Sequence, residues 1–216
     1  MNLARLLQLA SPALPVGAYT YSQGLEWAVE AGTVTDEATA LQWISDQLEW
    51  NLGRFEAPLL AQMMAACKVG AGETAQALDA QYLASRETAE LRAETLQMGH
   101  SLRRLIDDLK ENIAVPPAPT FMGAWSAVAV AWQSEPCEAL TAWLWSWAEN
   151  QTMAALKAVP LGQAAGQRIL LEIGGRIPAV VERALTLGDD DYSNFAPGFA
   201  IACARHETQY SRLFRS

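Results

Sequence analysis

The chain has 216 residues, a formal net charge of −9 and a hydrophobic content of 51%. That length and apolar content suit one domain or at most two with a sizeable core, and the acidic balance excludes the basic footprint that nucleic acid or an anionic membrane surface requires. Its three cysteines, Cys67, Cys137 and Cys203, are scattered and odd in number, so neither a disulfide framework nor a thiolate metal site is expected.

The opening stretch MNLARLLQLASPALP is interrupted by Arg5 and Gln8 and lacks the charged-then-apolar order of a secretory leader. Tyr21, Leu25, Ala28 and Val29 then repeat at helical spacing, with Gly32 as the stop. Thr35 or Asp36 can cap a helix running through Leu41, Ile44, Leu48 and Leu52. Pro58 suits the first turn of another, which Gly70 and Gly72 end. Ser85 opens what reads as the longest periodic stretch, with Leu91, Met98, Leu102, Leu105 and Leu109 as its seam. Pro116, Pro117 and Pro119 form a short linker.

Two apolar helices follow, Ser134 being a plausible cap for the second. Leu140, Trp143, Leu144 and Trp147 share a face of that second helix while Trp145 points elsewhere, as in a helix central to a core or shared with a second copy. Pro160 breaks the pattern, Leu161 to Ile173 resumes it, Gly174 and Gly175 end it, and a last helix is expected near Phe195 to Arg205. Strand alternation and 20–50-residue repeats are absent. The expectation is one all-α, single-domain helical bundle in a soluble, reducing compartment. No apolar run reaches the length of a membrane span.

Chemistry-bearing motifs fail one by one. His206-Glu207 begins like a zinc-hydrolase helix, but the second imidazole, due four residues after the first, is replaced by Tyr210. His100 is isolated and is expected to be a hydrogen-bonded structural residue. Asp189-Asp190-Asp191 lacks the alternation of a calcium loop. The stretch Gly162 to Arg168 lacks the Gly-Lys-Ser/Thr ending of a phosphate loop, and Ser22 lacks a nucleophile elbow.

What remains suits recognition. The stretch from Ser11 to Glu26 is stiffened by two prolines and can either present Tyr19 and Glu26 or bury a helix entry. Arg86 and Glu90 stand four apart, as on a solvated helix face. Lys157 lies in an apolar run, so it must reach water or find a carboxylate within the fold or across an interface. The terminal stretch RHETQYSRLFRS interleaves arginines with Tyr210, Leu213 and Phe214, a mixture enriched at interface centres or used to dock a last helix.

Four segments together resemble the urease accessory protein UreF family: SPALPVGAYTYSQGLEWAVEAG (11–32), SRETAELRAETLQMGHSL (85–102), KAVPLGQAAGQR (157–168) and RHETQYSRLFRS (205–216). They stand in the family's order and extend over nearly the whole chain, while the central Pro- and Trp-rich region matches poorly. The resemblance implies an all-helical, dimeric, cytoplasmic protein without catalytic activity of its own. Its implied role is an adaptor that joins UreD (also called UreH) and the GTPase UreG on apo-urease, coupling GTP hydrolysis to nickel insertion. Nickel and GTP would be handled by the partners, with no metal or cofactor held by this chain.

The same resemblance assigns the tail, Arg205, His206, Glu207, Gln209, Tyr210, Arg212, Leu213, Phe214 and Arg215, to the UreD contact. Tyr210, Leu213 and Phe214 would be desolvated there and Arg205, Arg212 and Arg215 paired at the rim. Tyr19, Ser22, Gly24, Glu26, Arg86, Glu87, Gln97, Gly99, Lys157, Gln163 and Gln167 become candidates for a UreG-facing surface, the last three also for a dimer surface. The alternative role is a GTPase-activating regulator, with Arg86, Arg92 or Arg168 as an arginine finger.

Overall fold

The structure, a computed structural model, describes residues 3–216; Met1 and Asn2, the first residues of the expected 1–216 domain, lie outside it. Helix α1 spans Leu3–Ala10 and α2 the short Leu25–Glu30. Tyr21 therefore precedes the helix its spacing suggested; it is buried in extended backbone that closes a 3₁₀ turn, Ala18–Thr20. Gly24 starts α2 at a φ of 77°, and a Cβ there would stand 3.0 Å from the Cys203 backbone nitrogen, so only glycine lets this turn lie against the last helix.

Asp36 caps α3, Glu37–Asp46, in a reciprocal capping box with Thr39. The helix does not stop before Pro58. It widens into a π-helical segment, Gln47–Glu56, and continues as α4, Ala57–Lys68. The N–H of Ala57 bonds to the Leu52 carbonyl five residues back, and Pro58, which has no N–H to give, sits where the register returns to four. The π segment buries Leu48, Leu52 and Phe55 together with the polar Gln47, Asn51 and Glu56.

Next come α5, Gly72–Ala84, a helix the sequence reading missed, and α6, Ala89–Asp108, capped by Thr88 rather than begun at Ser85. Gly99 lets α6 cross the proline-rich connection closely, since a Cβ there would meet the Pro119 carbonyl oxygen at 2.3 Å. Thr120 caps α7, Phe121–Ala131, and its backbone N–H donates to Asp79 of α5 at 3.0 Å.

The longest helices are α8, Pro136–Ala158, and α9, Gln163–Ala184. Glu135, not Ser134, precedes α8, with Pro136 at its first turn. Helix α9 runs through Gly174, Gly175 and Pro178 because the buried stripe Ile169, Ile173, Ile177, Val180 and Val181 continues past them. Burial of that stripe outweighs a glycine penalty of about 1 kcal/mol each. Helix α10 is Pro197–His206. No strand occurs among the described residues, and no helix is long and apolar enough to cross a membrane.

Helix α8 is the axis of the bundle and packs on α1, α2, α3, α4 and α9. Leu140, Trp143 and Leu144 face this core, so the stretch that sequence offered as a shared seam is turned inward in the chain itself. Phe121, Trp125 and Trp143 form an aromatic triangle with ring centroids 5.2–5.8 Å apart, and Trp125 is fully buried. Helices α6 and α7 pack together beside it, and α10 lies on α2. This arrangement places the end of α10, the turn before α2 and the first half of α6 side by side.

Candidate functional site

The first, second and last of the resembling segments meet in one cluster. Helix α10 ends at His206, whose ring is fully buried between two carboxylates: Nδ1 stands 2.8 Å from Glu90 of α6 and Nε2 3.2 Å from Glu26 of α2. An imidazolium ring donates to both at once, whereas a neutral ring donates only one N–H. After a short turn the chain runs back across α2. The backbone N–H groups of Leu213 and Phe214 donate to the two oxygens of Glu26 at 2.6 and 3.0 Å. Arg212 pairs with Glu90, and Glu207 accepts from the Glu90 backbone N–H at 3.2 Å. Glu26 is thus the hinge pin of the tail, and burying it is tolerable because each oxygen is engaged.

The terminal residue is held as firmly. The Ser216 main-chain oxygen accepts from the backbone N–H groups of Ser22 and Gln23 at 2.6 and 2.9 Å and from the Ser22 hydroxyl at 2.7 Å. The Ser216 hydroxyl donates to Glu94 of α6 at 2.7 Å, and the Gln23 side-chain amide donates to the other Glu94 oxygen at the same distance. Trp147 of α8 in turn donates to Gln23 at 2.8 Å. Burial pushes the Glu94 carboxyl up to about 7, against the opposing hydrogen bonds from Ser216 and Gln23.

Behind Glu94 lies a cavity of about 190 Å³ between α1, the following loop, α6 and α8. Its walls are largely apolar, with Met98, Phe121, Trp143 and Trp147 among them. Its polar lining includes the buried ion pair of Arg86 and Glu56, 2.8 Å long, with the Arg86 guanidinium 4.4 Å from the Tyr82 ring centroid. Burial drives the Tyr82 phenol well above its ordinary range. Lys157 stands at the cavity wall with its ammonium 5.8 Å from the Tyr19 ring and 5.5 Å from Phe214. It is exposed and held by aromatic faces; no carboxylate pairs with it among the described residues.

These positions correct several expectations. Ser22, Gly24, Glu26 and Arg86 are buried, so in this conformation they hold the tail and the ion pair instead of forming a surface. Arg86 pairs with Glu56, not with Glu90 four residues on, because Glu90 is taken by His206 and Arg212. Glu87 is half-buried, and burial raises its carboxyl. Of the tail's apolar trio only Phe214 is buried; Tyr210 is fully exposed and Leu213 nearly so. Arg205 and Arg215 are exposed, and Arg215 lies near enough to the Tyr21 phenol to oppose the rise that burial causes there. Gln209 is half-buried.

Tyr19, Gln97, Gln163 and Gln167 are on the surface, the two α9 glutamines next to Arg168, which pairs with Glu37 at 2.5 Å. His100 is exposed, contrary to the structural role expected of it. No group of three or more metal-type ligands converges among the described residues.

Glu56, Glu94 and Gln23 were missed by sequence reasoning, while Glu90 was read only as a partner of Arg86 on a solvated face and Trp147 only as part of an apolar helix face. One signal was available: Glu94 falls between Leu91 and Met98 on the buried stripe of α6, where a carboxylate has no place unless something bonds it.

The family model for UreF matches residues 34–174. The "Urease accessory protein UreF" of Dechloromonas aromatica is 59% identical to this chain over 100% of the chain and 98% of its own length. The protein of the same name from an Azoarcus species is also 59% identical, covering 100% and 96%. That of Methylobacillus flagellatus is 50% identical, covering 100% and 98%. With the matched model inside the helical bundle and full-length relatives at this identity, the chain belongs to the UreF family.

Proposed function

We propose that this chain is an adaptor in urease maturation, cytoplasmic and dimeric, that assembles UreD and UreG on apo-urease and couples GTP hydrolysis to nickel insertion. It carries no catalytic group, metal or cofactor of its own; nickel and GTP belong to its partners. The whole chain acts as one all-helical unit, with residues 205–216 as its partner-binding tail. The observation that carries this reading is the tail itself. It is fixed by backbone bonds to Glu26 while Tyr210 and Leu213 point outward at full or near-full exposure. Side chains of that kind are desolvated on a partner at a gain of roughly 1.5–3 kcal/mol each.

In this reading the outward edge of the tail, Tyr210, Leu213 and the exposed Arg205 and Arg215, meets UreD. The exposed Tyr19, Gln97, Lys157, Gln163 and Gln167 face UreG or the second copy. Lys157, exposed and held by aromatic faces with no carboxylate on it among the described residues, is then a cation placed to meet one from across an interface.

The test is co-elution with UreD and UreG by size exclusion with light scattering, comparing the native chain with Tyr210→Ala/Leu213→Ala. Both side chains are exposed, so the variant should keep its thermal midpoint and lose UreD. Undiminished co-elution removes the tail from the interface.

The arginine-finger alternative narrows on structural grounds. Arg86 is committed to Glu56 inside the fold, leaving the exposed Arg92 and Arg168. Single-turnover GTP hydrolysis with Arg92→Ala and Arg168→Ala decides it: stimulation lost with assembly intact makes the chain a GTPase activator, and unchanged rates eliminate the finger.

A further inference from the structure

We propose that the cavity beside α8 binds a small aliphatic dipolar ion, a carboxylate and an ammonium at the two ends of a chain of about six carbons, with the carboxylate on Lys157 and the ammonium on Glu149. This goes beyond the adaptor reading and needs no partner protein to be true.

The charged residues on the cavity wall fall into two sets. The first is satisfied inside the chain. Arg86 and Glu56 pair with each other, and Glu94 accepts from Ser216 and from Gln23. The second set is Glu149 and Lys157. Neither makes a hydrogen bond or an ion pair among the described residues. The Lys157 ammonium meets only the faces of Tyr19 and Phe214. Glu149 is half-buried, and burial raises its carboxyl with no donor or cation to offset the cost. These two charges are the ones whose partners the chain does not supply.

Their spacing selects the ligand. Positions 149, 153 and 157 of α8 are four apart and follow one another along a single face, with the exposed Met153 midway. Eight residues set the two charges about 12 Å apart along the helix axis. An α-amino acid carries its charges on neighbouring groups and cannot bridge that gap. A chain of about six carbons reaches about 8 Å, and an ion-pair contact of about 3 Å at each end covers the rest. Between the charges the wall is Met153, Trp147 and Tyr19, with Met98 and Phe121 also lining the cavity. An apolar cavity of about 150 Å³ holds benzene. The present one, about 190 Å³, therefore admits an aliphatic chain of similar size.

The experiment is a titration of the full chain, carrying ¹³C-methyl methionine, with 6-aminohexanoate. Met98 and Met153 line the cavity, whereas Met63 and Met64, buried on α4, do not. The Met98 and Met153 methyl resonances should move saturably while those of Met63 and Met64 stay. Hexylamine and hexanoate each lack one charge and should bind about fivefold more weakly. Lys157→Gln should weaken 6-aminohexanoate about fivefold and leave hexylamine nearly unchanged; Glu149→Gln should do the same with hexanoate as the indifferent probe.

No saturable movement up to about 10 mM probe overturns the proposal. Equal affinity for the three probes also overturns it, because the cavity is then an apolar hole indifferent to charge. So does movement of Met63 and Met64 together with the others, which is general loosening. A loss of hexylamine binding in Lys157→Gln as large as that of 6-aminohexanoate overturns it too, since Lys157 then shapes the cavity without holding a carboxylate. Should either variant lose its native thermal midpoint, the ranking of the three probes on the unsubstituted chain decides by itself.

Discussion

The aromatic triangle of α7 and α8 and the tail cluster on α2 and α6 are both buried, yet they are built from opposite chemistry. Phe121, Trp125 and Trp143 hold the first by area and ring geometry alone. The second rests on Glu26, Glu90, Glu94 and His206, each bonded to a segment that arrives from the far end of the chain. Apolar burial is non-directional and indifferent to pH, so it fixes a fold permanently. A cluster of bonded carboxylates is strong while complete and weak once one donor leaves, so the tail can be undone without undoing the apolar core.

The largest expected effect breaks the apolar side of this contrast. Trp125→Ala empties a fully buried site and should cost about 3–5 kcal/mol, seen as a lowered urea midpoint with all regions lost together. Survival of the native midpoint would mean that the triangle is ornamental. The Arg86–Glu56 pair sits between the two regions and tests whether charge there is structural. Glu56→Ala strands a buried guanidinium and should cost about 3–5 kcal/mol, whereas Glu56→Leu/Arg86→Met should recover much of that loss. A double variant as unstable as the single one would show that the pair has a role apolar packing cannot replace.

Breaking the polar side should do less to the fold and more to the tail. Glu26→Gln keeps the shape but replaces a charged acceptor by an amide that accepts through one oxygen only. Global stability should fall by about 1–3 kcal/mol. Trypsin should then cut at Arg212 and Arg215 well before it cuts within α6. Simultaneous digestion of both regions would show that the tail is an integral part of the core.

The same contrast explains what could be read without coordinates. Helices with an apolar stripe and a cap declared themselves: the one that Thr35 or Asp36 was expected to cap, where Asp36 does so, and the last helix near its observed bounds, with the proline linker also falling between helices. Two were misjudged because local signals were outvoted. Gly174, Gly175 and Pro178 looked like a stop, but the stripe on α9 carries the helix through; the widened turn after Gln47 lets Pro58 sit inside a continuous helix. Helix α5 was missed because it has little buried surface, Tyr82 being its only buried side chain.

For the candidate site, three of the resembling segments meet in one cluster, yet the surface role that the resemblance implied for several of their side chains is not where this conformation puts them. Ser22, Glu26 and Arg86 are polar and were assigned outward, while their partners lie 194, 187 and 30 residues away in sequence. Periodicity carries no information on pairings that distant.

The smallest effect sharpens the comparison from outside. Arg176 and Glu172 form an i,i+4 pair at 2.9 Å on α9, with both side chains about half exposed. Arg212 and Glu90 are chemically the same pair, but Glu90 is mostly buried and already bonded to His206. Arg176→Ala should change stability by about 0.3–0.5 kcal/mol, a difference that 0.5 M salt should erase, because solvent and counterions screen both ends. Arg212→Ala should leave the unfolding midpoint nearly as unmoved and yet reduce amide protection at Leu213 and Phe214, because its carboxylate belongs to the network that holds the tail. Equal protection in the two variants would place Arg212 among ordinary surface pairs and leave His206, Glu26 and Glu94 to hold the tail by themselves.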